Sequence, residues 1–234
     1  MFKKNISLIS ILALFIGCAN KEPNLKTYDL TNYWFNMQSL SDNKTLLNKS
    51  LIEQYNDGIK SNEYADFTVY KKNKMDLNQI EVYTFFEDID NKNLKIMIAN
   101  KNIDLKYDIL KNEIKETFVP ENQVSIYKRF INLNDKVIEE KDADESIFVC
   151  TFSNYYEKIN VKDKINIFFN NKYSNSDKIY NDVMELSCKD SSVSGEYYIF
   201  MAKDIGNIFF MRKDKIQTST EESFSILKSQ TILD

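Results

Sequence analysis

The strongest constraint on this chain is a two-residue period in its last third. Val183-Met184-Glu185-Leu186-Ser187-Cys188, Tyr197-Tyr198-Ile199-Phe200-Met201 and Ile208-Phe209-Phe210-Met211 are three short apolar runs. Polar turns separate them, Lys189 to Gly195 and Asp204-Ile205-Gly206. Alternate side chains of a strand point to opposite faces, so runs of this length and spacing read as an antiparallel meander. Ile147 to Phe152 and Ile165 to Phe169 read as further strands, as do Ile80 to Phe86 and Leu94 to Ile98 around a turn at Asp88 to Asn93. Ile103 to Val119 fits a strand better than a helix, and Val124, Ile126, Phe130 and Ile131 continue the β-rich sequence. With 16 Phe and 14 Tyr against four Gly and two Pro, the composition suits a large aromatic β core.

Two segments break the period. Leu47, Leu51, Tyr55 and Ile59 recur at helical spacing behind Ser41 or Asp42 as a cap, so the pattern predicts one amphipathic helix over Thr45 to Ile59. Thr218 to Asp234 is expected to be a frayed or short helical tail. The lone Trp34 is expected to plug the core. The fold expected is mainly β (α+β): one antiparallel sheet, curved or sandwich-like, with that N-terminal amphipathic helix packed on it.

The first 18 residues follow a different logic. Lys3-Lys4 precede an apolar run from Ile6 to Ile16, then Gly17-Cys18. The run is too short to span a bilayer, which takes about 20 apolar residues, and its length suits a signal peptide. Phe15-Ile16-Gly17-Cys18 resembles the lipobox of bacterial lipoproteins, in the relaxed form of spirochaetal ones, with Phe15 where Leu is usual. The resemblance implies cleavage before Cys18, lipid (palmitate among it) on that cysteine, and a location at the cell envelope, on the outer membrane or cell surface or facing the periplasm. Residues 1–17 are then the signal peptide, 18–31 the lipidated cysteine and a short tether, and 32–234 one β-rich domain. Tyr180-Asn181-Asp182-Val183, Tyr197-Tyr198 and Ala202-Lys203-Asp204-Ile205-Gly206-Asn207-Ile208 are similar to a C-terminal pattern of bacterial β-sheet lipoproteins, with Asp204 at the first glycine. That resemblance implies an antiparallel fold and no activity.

Removing the leader takes the basic side chains from 31 to 29 against 35 acidic ones, a net charge of about −6. Such a balance offers no basic face for nucleic acid and no polybasic patch for anionic lipid. The chain has no histidine, which removes His-based triads and His-ligated zinc. No glycine-rich phosphate loop is present, so no cofactor is expected. Glu139-Glu140 and Asp142, Asp144 and Glu145 form an acidic stretch within a charged segment, Asp135 to Glu145, read as a solvated loop; without a turn glycine it matches no calcium loop, and no metal is expected. Cys150 and Cys188 both fall on the apolar face of their strands. In an exported chain an even pair reads as a disulfide; two buried free thiols are the alternative.

The function expected is non-catalytic: a membrane-anchored surface or envelope protein that binds a protein or lipid ligand. Its rival is a periplasmic scaffold, or a protein that shelters an acyl chain in a β concavity. An enzyme would need two carboxyl groups facing each other in a cleft.

Overall fold

A computed structural model describes residues 26–41, 44–73, 75–76, 78–85, 97–98, 100–141, 146–169, 177–192, 194–216 and 218–233. The signal segment with Cys18, the expected turn at Asp88 to Asn93, Leu94 to Ile96 of its expected return strand, the capping Asp42, and Asp142, Asp144 and Glu145 lie outside these residues; the described end of that expected strand, Met97 and Ile98, is helical instead.

The strands are β1 (Tyr28–Asp29), β2 (Thr45–Asn56), β3 (Ile59–Lys72), β4 (Gln79–Phe85), β5 (Leu105–Ile109), β6 (Glu113–Phe118), β7 (Gln123–Lys128), β8 (Phe130–Ile131), β9 (Lys136–Lys141), β10 (Ile147–Asn160), β11 (Ile179–Asp190), β12 (Ser194–Ala202), β13 (Gly206–Ile216) and β14 (Ser219–Leu233). The helices whose bounds fall among the described residues are α1 (Thr31–Trp34), α2 (Met37–Ser41) and α3 (Val161–Phe168). Twelve strands form one antiparallel sheet in the order β7-β6-β5-β4-β3-β2-β14-β13-β12-β11-β10-β9, while β1 pairs with β8. The chain thus runs as two meanders joined where β2 meets β14. The sheet curls until its outer strands, β7 and β9, lie against each other, giving a near-barrel. The mainly β, curved antiparallel fold expected from the alternation is the fold observed.

One apolar cluster draws on strands around the whole circuit: Leu46, Ile80, Val82, Tyr107, Ile114, Tyr127, Val137, Cys150, Phe152, Leu186 and Met201. These residues line the concave side. The chain fills part of that concavity itself, with Leu30, Tyr33, Phe35 and Leu40 buried in it. Trp34 is half-buried among them, its ring 4.9 Å from that of Tyr127. The Leu30 N–H donates to the Arg129 carbonyl (2.7 Å) and the Asp204 N–H to the Asn32 carbonyl (2.6 Å), which fixes this plug at one end of the barrel. A Cβ on Gly206 would come within 3.0 Å of the Trp34 carbonyl, and its φ of +101° suits glycine. Tyr28 and Asp29, within the stretch read as tether, form β1. The convex side carries two more clusters. Val161, Ile165 and Phe169 pack onto Val183, Phe200, Phe209 and Phe224, and Ile98 and Ile103 cover Phe67, Val69 and Tyr83.

Four further expectations are corrected. The helix over Thr45 to Ile59 is strand β2. Asp57 and Gly58 both have positive φ, 49° and 82°, the backbone of the tight Asp-Gly turn that joins paired strands; the helical spacing of the leucines is incidental to a strand with apolar residues on both faces. Ile165 to Phe169 belongs to α3 rather than a strand: the Asn160 side chain caps it by accepting from Lys162 N–H at 2.9 Å, and Val161, Ile165 and Phe169 recur at four-residue steps. The C-terminal tail is strand β14, held between β13 and β2. Lys136–Lys141, inside the stretch read as loop, is strand β9, paired with β10.

Candidate functional site

Register defines the part of the concave face that the plug leaves open. Paired residues on neighbouring strands share a face, so Tyr197, Arg212, Ser223, Gln54 and Asn62 form one row across β12, β13, β14, β2 and β3. The next row is Ile199, Phe210, Ser225, Ile52 and Tyr64, and beyond it Ser50 stands opposite Asp66 and Asn48 opposite Thr68. Tyr197 and Ile199 belong to the concave cluster, which places these rows inside the curl. The region forms a lane of hydroxyl and amide groups with a few rings.

Two recesses open on this lane. One, of about 260 Å³, lies among Gln54, Asn56, Arg212, Glu221 and Ser223. The other, of about 100 Å³, lies among Asn48, Ser50, Asp66, Thr68, Asn207 and Ser225. Asp66 Oδ1 is buried there and has no hydrogen-bond partner among the described residues. Burial pushes its carboxyl above the usual range, countered in part by a backbone bond from Phe67. Asn48 is already committed, its Oδ1 accepting from Gln230 Nε2 at 3.0 Å.

Arg212 marks the rim of the lane. Its guanidinium sits 5.0 Å over the Tyr197 ring and pairs with the fully buried Asp214. Gly195 makes room for that carboxylate, since a Cβ there would stand 2.0 Å from Asp214 Oδ1. The residue acts by having no side chain.

A larger groove, of about 700 Å³, lies on the convex side. Lys71, Lys101 and Lys106 share it with Ile98, Ile103, Val119 and Pro120. Its positive charge is partly met: Lys101 pairs with Asp104 at 3.3 Å, and Glu81 stands in register between Lys71 and Lys106.

Two clusters have the residue types of catalysis but are built as clamps. Glu185 accepts from Ser153 Oγ (2.9 Å) and Tyr156 OH (2.7 Å). Lys164 of α3 reaches over the Tyr156 ring at 3.9 Å and comes within 3.6 Å of Glu185, so the group ties α3 to the sheet. At the seam, Tyr127 OH lies 3.2 Å from Glu116 Oε1 and 2.9 Å from Glu140 Oε1. The phenol stands between the two carboxyl groups, where a substrate would need to be. Burial, with repulsion from Glu140, raises the Glu116 pKa against hydrogen bonds from Tyr107 and Tyr127.

Of the residues singled out in the sequence, the structure places Cys150 and Cys188 opposite each other on β10 and β11. Both are buried, and their sulfurs are joined with the Cα atoms 3.9 Å apart. Glu139 and Glu140 point to opposite faces of β9: Glu139 pairs with Lys136 at 3.1 Å and Glu140 meets Tyr127. Among the described residues no three His, Cys, Asp or Glu side chains gather as a metal site. Sequence reasoning missed Asp66, Arg212 and Asp214. The signal available was Tyr64-Asp66-Thr68-Tyr70, alternating with Ala65-Phe67-Val69; its polar half reads as a solvent face, and only the curl turns that face inward.

No family model matches the chain, and no curated protein matches it in sequence. Among solved structures it is similar to a Bacteroides fragilis protein of YmcC-like fold, inferred to be exported. The two share 10% identity and a TM-score of 0.38, over 80% of this chain and 95% of that one. It is also similar to a protein of Parabacteroides distasonis inferred to be a lipoprotein. Here the identity is 10% and the TM-score 0.39, over 86% of this chain and 99% of that one. Likeness at this level assigns no function.

Proposed function

We propose that the chain is an exported lipoprotein, anchored through lipid on Cys18, that works by binding at its concave face rather than by catalysis. The observation that carries the binding part is the division of the concavity. Its apolar part is filled by Leu30, Tyr33, Phe35 and Leu40, while the open part is polar. An acyl chain would find its apolar space already taken, so the geometry favours a polar ligand over lipid shelter.

The anchor part rests on Lys3 to Cys18, and the position of the plug supports one orientation for it. Lys26 sits over the Tyr28 and Tyr155 rings, 4.9 and 4.4 Å from their centroids. Asp29 holds Arg129 at 2.8 Å. Burial works to raise the Asp29 carboxyl, but bonds from Arg129 and Thr31 outweigh it and leave it below the usual range. The eight residues from Cys18 to Lys26 reach at most about 28 Å. The plugged end then faces the membrane, and the Asp57-Gly58 end, a strand length of about 40 Å away, faces outward.

The anchor is tested by Cys18→Ala. The wild-type chain is expected to take up labelled palmitate and partition into detergent, and the variant to do neither, because each buried methylene contributes about 0.8 kcal/mol to membrane binding. A variant that stays with the membrane overturns the anchor.

A further inference from the structure

We infer that the concave lane is a binding site for a neutral saccharide chain, with Asp66 as its principal hydrogen-bond acceptor. This rests on the binding reading of the concave face and is independent of the anchor. The chemistry of the lane narrows the ligand. Arg212 is its one described cation and is taken up by Asp214, so an anion meets no excess positive charge and faces Asp66 and Glu221. A multivalent metal would meet one carboxylate, Asp66, in the inner recess, fewer acidic ligands than such ions gather.

A ligand rich in hydroxyl groups fits what remains. Each hydroxyl both donates and accepts, so it can give its proton to the Asp66 carboxyl, which lines the inner recess. It can also accept from the amides of Gln54, Asn62 and Asn207. Ser50, Ser223 and Ser225 answer in either sense. The half-buried rings of Tyr64 and Phe210, which stand in one row with Ser225, supply apolar surface for the C–H face of a pyranose. Rows of side chains repeat about every 4.8 Å from strand to strand, close to the advance of one sugar unit, so a chain crossing the strands meets a new side chain of the row with each unit. The outer recess of about 260 Å³ and the inner one of about 100 Å³ receive its units.

The test is calorimetric titration of the detergent-solubilised full chain with maltohexaose, cellohexaose and chitohexaose, and with a heparin hexasaccharide as charged control. Saturable binding of at least one neutral probe is expected, weakened at least tenfold by Asp66→Asn and by Ser225→Leu. Asp66→Asn is expected to leave the thermal midpoint unchanged or raised, because it removes a desolvated charge; a purely structural Asp66 would lower it. Absence of saturable binding by all three neutral probes overturns the inference. Tighter binding of the heparin fragment does so as well, and so does binding that both substitutions leave intact. Heparin binding that Ser225→Leu abolishes would overturn the neutral-saccharide inference while leaving the binding reading of the concave face standing, so the two failures read out separately.

Discussion

Glu116 shows at the residue scale how burial turns a polar contact into a pH response. Tyr127 has one phenolic proton and two carboxyl neighbours, so it satisfies only one of them by donation. A protonated Glu116 can donate to the phenol oxygen and complete the set. Its pKa is raised in the fold, so across the interval between the ordinary and the raised value the folded chain holds a proton that the unfolded chain has lost. Stability from this group is therefore present on the acid side and falls as pH rises through that interval. Urea midpoints taken at steps between about pH 4.5 and 7 should show this component of decline. In Glu116→Gln, which is always neutral and keeps a donor, that component should disappear. An unchanged slope in the variant would locate the response elsewhere. Residue types alone could not reveal this group, because Tyr107 and Glu116 are neighbours only through the pairing of β5 with β6.

Among elements, the β10–β11 pair holds the clearest lever. Cys150 and Cys188 close a loop with a sequence separation of 38 that contains α3. A bridge over such a loop contributes roughly 2–4 kcal/mol, chiefly by restricting the unfolded chain. We expect alkylation of the unfolded protein to label these two positions only after reduction, and reduction to lower the unfolding free energy by that amount. Labelling without reduction would show two free thiols. The apolar strand faces of both cysteines were legible in the sequence; their direct opposition required the register. The same limit explains α3 and β2. Asn160 ahead of Val161 is a cap, and Asp57-Gly58 is a hairpin turn, so local signals existed for both. Three apolar positions in the α3 segment fit either period over so few residues, and β2 mimics a helix because its two faces both meet packed chain.

For the whole molecule, the decisive element is the last one. β14 joins the two meanders by pairing with β13 on one side and β2 on the other. A chain ending at Thr218 would leave two long strands with unpaired edges, an aggregation-prone state. It should fail to give a soluble protein with the thermal transition of the full chain, whereas a frayed tail would be dispensable. The β class, the C-terminal meander, the apolar faces of the two cysteines and the absence of histidine chemistry were legible in the chain alone, because alternation and composition are local properties. The curling of the sheet until β7 meets β9, the filling of its apolar side by residues 30–40 and the place of Asp66 inside it arise only on folding. Those outcomes depend on which strands become neighbours and which face of each is enclosed, and no single strand carries that information in its own pattern.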